Sequence, residues 1–67
     1  MKLVLEMSLN NAAYREYAPY PDEGELDREM IAKDIEYVAE QIRAGNDARM
    51  IIDINGNRVG QWRITND

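Results

Sequence analysis

Alternation opens the chain. In Lys2-Leu3-Val4-Leu5-Glu6-Met7-Ser8-Leu9, the residues Leu3, Leu5, Met7 and Leu9 fall on one face and Val4, Glu6 and Ser8 on the other. This period of two predicts a strand with one side buried. Asn10-Asn11 ends it, because both side chains compete with a strand ladder for backbone hydrogen bonds and favour turns. A longer period takes over downstream. At about 100° per residue, Ile31, Ile35, Val38 and Ile42 follow the spacing i, i+4, i+7, i+11 and define a core stripe flanked by Ala32 and Ala39. Leu26, Met30 and Tyr37 form a weaker second stripe, and Glu25, Glu29, Glu36 and Glu40 an acidic ridge in a third sector. Asp22, with Glu25 three residues on, predicts the helix entry, and Gly45 the stop.

Two further alternating runs follow, around Asn55-Gly56-Asn57. Ala48, Met50, Ile52 and Ile54 mark the first, and Gly60, Trp62 and Ile64 the second. A two-residue turn would put these apolar sets on opposite faces, since a register shift of one residue inverts every side chain. A three-residue loop gathers them on one face, either as Asn55-Gly56-Asn57 or, one residue earlier, as Ile54-Asn55-Gly56 with Gly56 left-handed. The first pairs Met50 with Trp62 beneath the helix, and Gly60 then gives the helix a close backbone approach.

These elements predict an α+β fold: a single β-α-β-β layer in which an antiparallel C-terminal hairpin and an N-terminal strand carry one helix on one sheet face. The expected bounds are strand 2–9, loop 10–22, helix 23–44 and hairpin strands 48–54 and 58–64, within one domain over 1–67. The other sheet face is left bare. Val4, Ile51 and Val59 fall there among Glu6, Arg49, Asp53, Gln61 and Arg63, as a candidate surface for self-association. Between the first strand and the helix, "AAYREYAPYPDEG" has no sustained period. One helical turn fits within 12–17 before Pro19 and Pro21 forbid more. The expectation is that Tyr37 packs, while Tyr17 and Tyr20 of the long loop contact a partner, Tyr offering large area with few torsions and one polar end.

Length and composition narrow the function. Sixty-seven residues hold a small core, and such chains usually need disulfides, metal, oligomerisation or very regular packing. There is no Cys and no His, which removes disulfides, the usual zinc ligands, the commonest catalytic base and the thiol nucleophile. Ser8 and Thr65 have no evident activating partner, and no cofactor is expected. No apolar run approaches the roughly 18 residues of a membrane span, and the N-terminus does not resemble a signal peptide. A soluble protein of the cytoplasm is the expectation. The net charge of -5 is concentrated in residues 16–40, where nine acids face Arg28 and Lys33. That balance argues against direct nucleic-acid binding. It admits imitation of a phosphate backbone by the ridge carboxylates, although a solvated helix face is the simpler account.

The run Asp53-Ile54-Asn55-Gly56-Asn57-Arg58-Val59-Gly60-Gln61-Trp62-Arg63-Ile64 resembles a pattern, D-x-N-G-N-x-V-G-x-W-x-[ILV], at the end of many short bacteriophage and prophage proteins. In those sequences a similar Asn-Ala-Ala start, here Asn11-Ala12-Ala13, follows the first strand. The resemblance implies a phage or prophage source, a bacterial host cytoplasm and no particular activity; small acidic phage proteins are often inhibitors of host defence, such as anti-CRISPR proteins or nucleic-acid mimics. Asp53, Asn55 and Asn57 also occupy the first, third and fifth positions of a calcium loop, but Arg58 replaces the glycine at the sixth and Ile64 the glutamate at the twelfth. Turn chemistry is favoured, and no metal site is expected. The leading expectation is a non-enzymatic interaction protein that inhibits a host protein through Tyr17, Tyr20, Glu25, Glu29, Glu36 and Glu40. The alternative is a self-assembling accessory protein, monomer or homodimer, pairing through Val4, Ile51 and Val59.

Overall fold

A computed structural model describes residues 1–15 and 25–66. The order is β1 (Lys2–Met7), a 3-10 turn (Ala12–Tyr14), α1 (Arg28–Arg43), β2 (Ala48–Ile52) and β3 (Arg58–Thr65). β3 lies in the middle of a three-stranded sheet ordered β1-β3-β2 and is antiparallel to both neighbours. β1 and β2 therefore run parallel, one strand apart, and the last strand fills the gap between them. The predicted α+β architecture, one helix with a three-stranded antiparallel sheet, is the one observed.

β1 packs as its alternation requires except at Leu3, which is exposed near the start of the strand. Leu5 and Met7, with Leu9 beyond the strand, lie against the core, and Leu5 stands opposite Trp62. The strand ends at Met7 instead of Leu9, although the Ser8 N–H still donates to the Val59 carbonyl at 2.7 Å. The helix begins five residues later than predicted. Asp27 is the cap, its carboxylate accepting from the Met30 N–H at 3.1 Å, whereas Asp22 lies outside the described residues. Just before the cap, Leu26 pairs with Arg15, and the Asp27 N–H donates to the Tyr14 carbonyl at 2.8 Å. A helix cannot start upstream of residues already held in an extended bridge.

The hairpin differs most from expectation. Its loop is the earlier of the two options, Ile54-Asn55-Gly56, with Gly56 left-handed at φ +85°. The Gly56 N–H donates to the Asp53 carbonyl and the Asp53 N–H to the Asn57 carbonyl. That much keeps the predicted parity, with Ile52 opposite Arg58, but the next pair is Ile51 with Gly60. Val59 is therefore an extra residue in β3, a β-bulge that turns two successive side-chain positions to one side and reverses the parity of everything beyond it. Ile51 and Val59 are buried with Trp62, while Met50, Ile52 and Ile54, expected in the core, are exposed. Arg49, not Met50, stands opposite Trp62.

Gly60 follows the bulge directly and faces Met7 of β1 on its other side. A Cβ there would overlap the Glu6 carbonyl oxygen and lie 2.6 Å from Met7 Cα. The close approach that its small size permits is thus to the β1 backbone, not to the helix.

The core comprises Tyr14, Val38, Ile51, Val59 and Trp62, with Leu26, Met30, Ile31, Ile42 and Ile64 around it. Of the predicted stripe, Val38 is buried and Ile31 and Ile42 pack against the core, while Ile35 is exposed, so the inward side of α1 is displaced toward Asp34 and Gln41. Two polar residues share the inward side because each receives an aromatic donor: Asp34 accepts from the Tyr14 hydroxyl at 2.6 Å, and the Gln41 Oε1 from the Trp62 indole N–H at 2.8 Å. Buried aromatic donors must find a partner, and meeting that need sets the helix's rotation.

Candidate functional site

The stretch carrying the phage-like pattern is a structural clip. The Asp53 carboxylate is buried. One oxygen accepts from the N–H groups of Asn55 at 2.9 Å and Asn57 at 2.8 Å; the other accepts from the side-chain amides of Asn11 at 2.9 Å and Asn57 at 3.4 Å. Asn11 and Asp53, from the two separate parts of the resemblance, meet here. The Asn11 amide, followed by the Asn57 and Asn55 donors, holds the Asp53 carboxyl below its usual 3.8 against the opposing effect of burial. Its lone pairs are spent on the chain itself, which is turn chemistry. Tyr14 is shifted the other way: burial, then the hydrogen bond and negative charge of Asp34, with a contribution from Asp53, push its phenol well above 10.

The acidic ridge is at the surface but not wholly acidic. Glu29, Glu36 and Glu40 are exposed along α1. Glu25 is exposed too, but it precedes the helix and so does not extend the row. Lys33 follows Glu29 by one turn, and Arg43 forms an ion pair with Glu40, so the row reads Glu29, Lys33, Glu36, Glu40, Arg43. Over α1 as a whole, Glu29, Asp34, Glu36 and Glu40 stand against Arg28, Lys33 and Arg43, a balance of one negative charge. Tyr37, expected to pack, is 67% exposed. It shares a shallow hollow on the outer helix face with Lys33, Glu36, Ala39, Glu40 and Arg43. Tyr17 and Tyr20 lie outside the described residues.

The self-association trio is not a surface. Ile51 and Val59 are core residues, turned inward by the bulge, and only Val4, half-buried in β1, stays on the uncovered face. In their place that side of the hairpin presents Met50 (55% exposed), Ile52 (46%) and the loop-tip Ile54 (70%). Sequence parity put these three inward, and only a β-bulge at Val59 could have signalled otherwise. Ala48 and Met50 border a shallow groove with Gln61 and Arg63.

The described residues hold no group of three or more Asp, Glu, His or Cys suited to a metal ion. Two carboxylates turned toward the interior, Asp34 and Asp53, are engaged by donors of the chain. The described surface thus offers two features for recognition: a mixed-charge helix face bearing Tyr37, and an apolar outer strand. No helix among the described residues is long and apolar enough to cross a membrane. Compared with family models, curated proteins and solved structures, the chain matches none.

Proposed function

We propose that the protein is a non-enzymatic binding protein that docks on a partner protein through the outer face of α1, with Tyr37 as its anchor. The observation that carries this reading is the ring of Tyr37, two-thirds exposed on a regular helix with Lys33, Glu36, Glu40 and Arg43 around it. A large amphipathic ring beside an arginine is the side-chain combination enriched where interface energy concentrates. The interleaved Lys33 and Arg43 favour a protein surface of mixed charge over a groove built for phosphates. Glu29, Glu36 and Glu40 steer and orient the complex, as rim charges do.

The phage-like pattern of residues 53–64 supplies the setting: a host protein in the bacterial cytoplasm, bound and inhibited, with host defence the first class to test. A photo-crosslinking residue at position 37, expressed in a plausible bacterial host, identifies the partner by mass spectrometry. With that partner purified, Tyr37→Ala is expected to weaken binding roughly 30-fold, equivalent to about 2 kcal/mol. Replacing Glu29, Glu36 and Glu40 by Lys is expected to slow association and alter its salt dependence. Undiminished affinity in Tyr37→Ala removes the helix face from consideration.

A further inference from the structure

We infer that the protein forms a homodimer through the open edge of β2, two copies pairing antiparallel about Met50 so that their sheets join into one. This inference concerns a different surface from the helix face and stands or falls separately. Its first support is the backbone. The Ile64 N–H donates to the Asp47 carbonyl at 2.8 Å, and the ladder then alternates, so Arg49 and Ile51 bond to β3 while the backbone groups of Ala48, Met50 and Ile52 point away from it. Among the described residues β2 is an outer strand of the sheet, and such a row of donors and acceptors is a template for another strand.

The side chains identify the second strand as a copy of the first. With a two-fold axis at Met50, each Ala48 meets the Ile52 of the copy and the two Met50 side chains meet each other, all on the uncovered face and all exposed in one chain. Every cross-strand pair on that face, from Ala48 to Ile52, is apolar. Arg49 projects to the other face, where its guanidinium bonds to the Asn46 Oδ1 at 3.1 and 3.2 Å and lies across from Ile51 of the copy.

Sheets that remain single usually guard an outer strand with charged side chains, Pro or a bulge in that strand. Residues 48–52 hold no Pro and one charge, Arg49, whose guanidinium is held by Asn46 within its own chain, and the extra residue of the bulge belongs to β3. β1 contrasts with this, carrying Lys2 and Glu6 on the uncovered face beside Val4. Charge also permits the approach: residues 41–67 sum to +1, and the excess negative charge lies in residues 16–40. A core of five buried apolar residues among those described is of the size that self-association commonly supplements.

Sedimentation of the full chain from about 5 to 500 µM, read with residue-resolved amide exchange, tests the dimer because its population follows concentration. The expected result is a dimer in which the amides of Ala48, Met50 and Ile52 exchange at least about tenfold more slowly than at dilution. Met50→Pro removes an outward N–H and no β2–β3 bond, and Ile52→Lys adds an edge charge. Both are expected to restore a monomer with unchanged Trp62 fluorescence. A monomer throughout the range overturns the proposal, as does a dimer whose three edge amides exchange freely. Pairing of the edge with a foreign extended segment and never with itself also overturns it. Should both variants unfold, edge-amide exchange in the unmodified chain still decides.

Discussion

Tyr14 and Trp62 are the largest fully buried side chains described, and each spends its single polar donor on α1. Tyr14→Phe keeps the ring and strands the Asp34 carboxylate, so a loss of about 1.5–3 kcal/mol is expected in urea denaturation. Gln41→Leu orphans the indole N–H and is expected to cost about 1–3 kcal/mol. The Tyr14 phenol has a raised pKa in the fold. Its contribution is complete below the unfolded value near 10 and is lost as pH rises through the folded one, so the alkaline limb of the stability profile should flatten in Tyr14→Phe. Asp53 behaves in the opposite sense, because its folded pKa is depressed. Its stabilisation is present above about 3.8 and disappears as pH falls through the folded value. Asp53→Asn should therefore melt lower than the unmodified protein at pH 7 and show a shallower loss on acidification, measured by circular dichroism.

At the scale of elements, two glycines of the hairpin make opposite demands. Gly56 needs a left-handed backbone but has open space around it, so Gly56→Ala should cost about 1–2 kcal/mol. Gly60 has no positive φ, yet any side chain there meets the backbone of β1. Gly60→Ala is expected to exceed the roughly 1–3 kcal/mol of ordinary overpacking and to detach β1. Comparing the two variants by thermal unfolding separates conformational cost from collision. The same hairpin marks the boundary of what could be read in the chain. The loop length and the candidate position of Gly56 follow from side-chain parity, but parity assumes an unbroken ladder, and one extra residue at Val59 reverses it. Likewise, the apolar spacing of α1 predicts a helix, its end near Gly45 and most of its inward face, but not its final rotation. That rotation depends on Asp34 and Gln41 meeting aromatic donors from distant segments, and helical period carries no record of such partners.

For the whole molecule, the class and composition of the fold were legible because strand alternation and helix period differ sharply. The candidate surfaces were not. Tyr37 falls with Leu26 and Met30 on a stripe expected to pack beneath the long tyrosine loop, yet its ring is exposed, and side-chain parity assigns the Met50–Ile52 edge to the core because it carries no sign of the bulge. Net charge misled in a milder way: it is negative overall, but on α1 it is nearly balanced. The topology has one more consequence, in time instead of space. Lys2 pairs with Thr65, and among the described residues neither β1 nor β2 has a neighbouring strand in the sheet until β3 arrives between them. During synthesis, the described residues before 58 can form the helix and the local turns but not the β1-β3-β2 ladder, and the non-local pairing that follows is of the slow-forming kind. A nascent chain halted before residue 58 should be cut rapidly by protease, whereas one extended well past residue 65 should resist it. Quality control in the cell would meet this chain without its sheet until β3 is made.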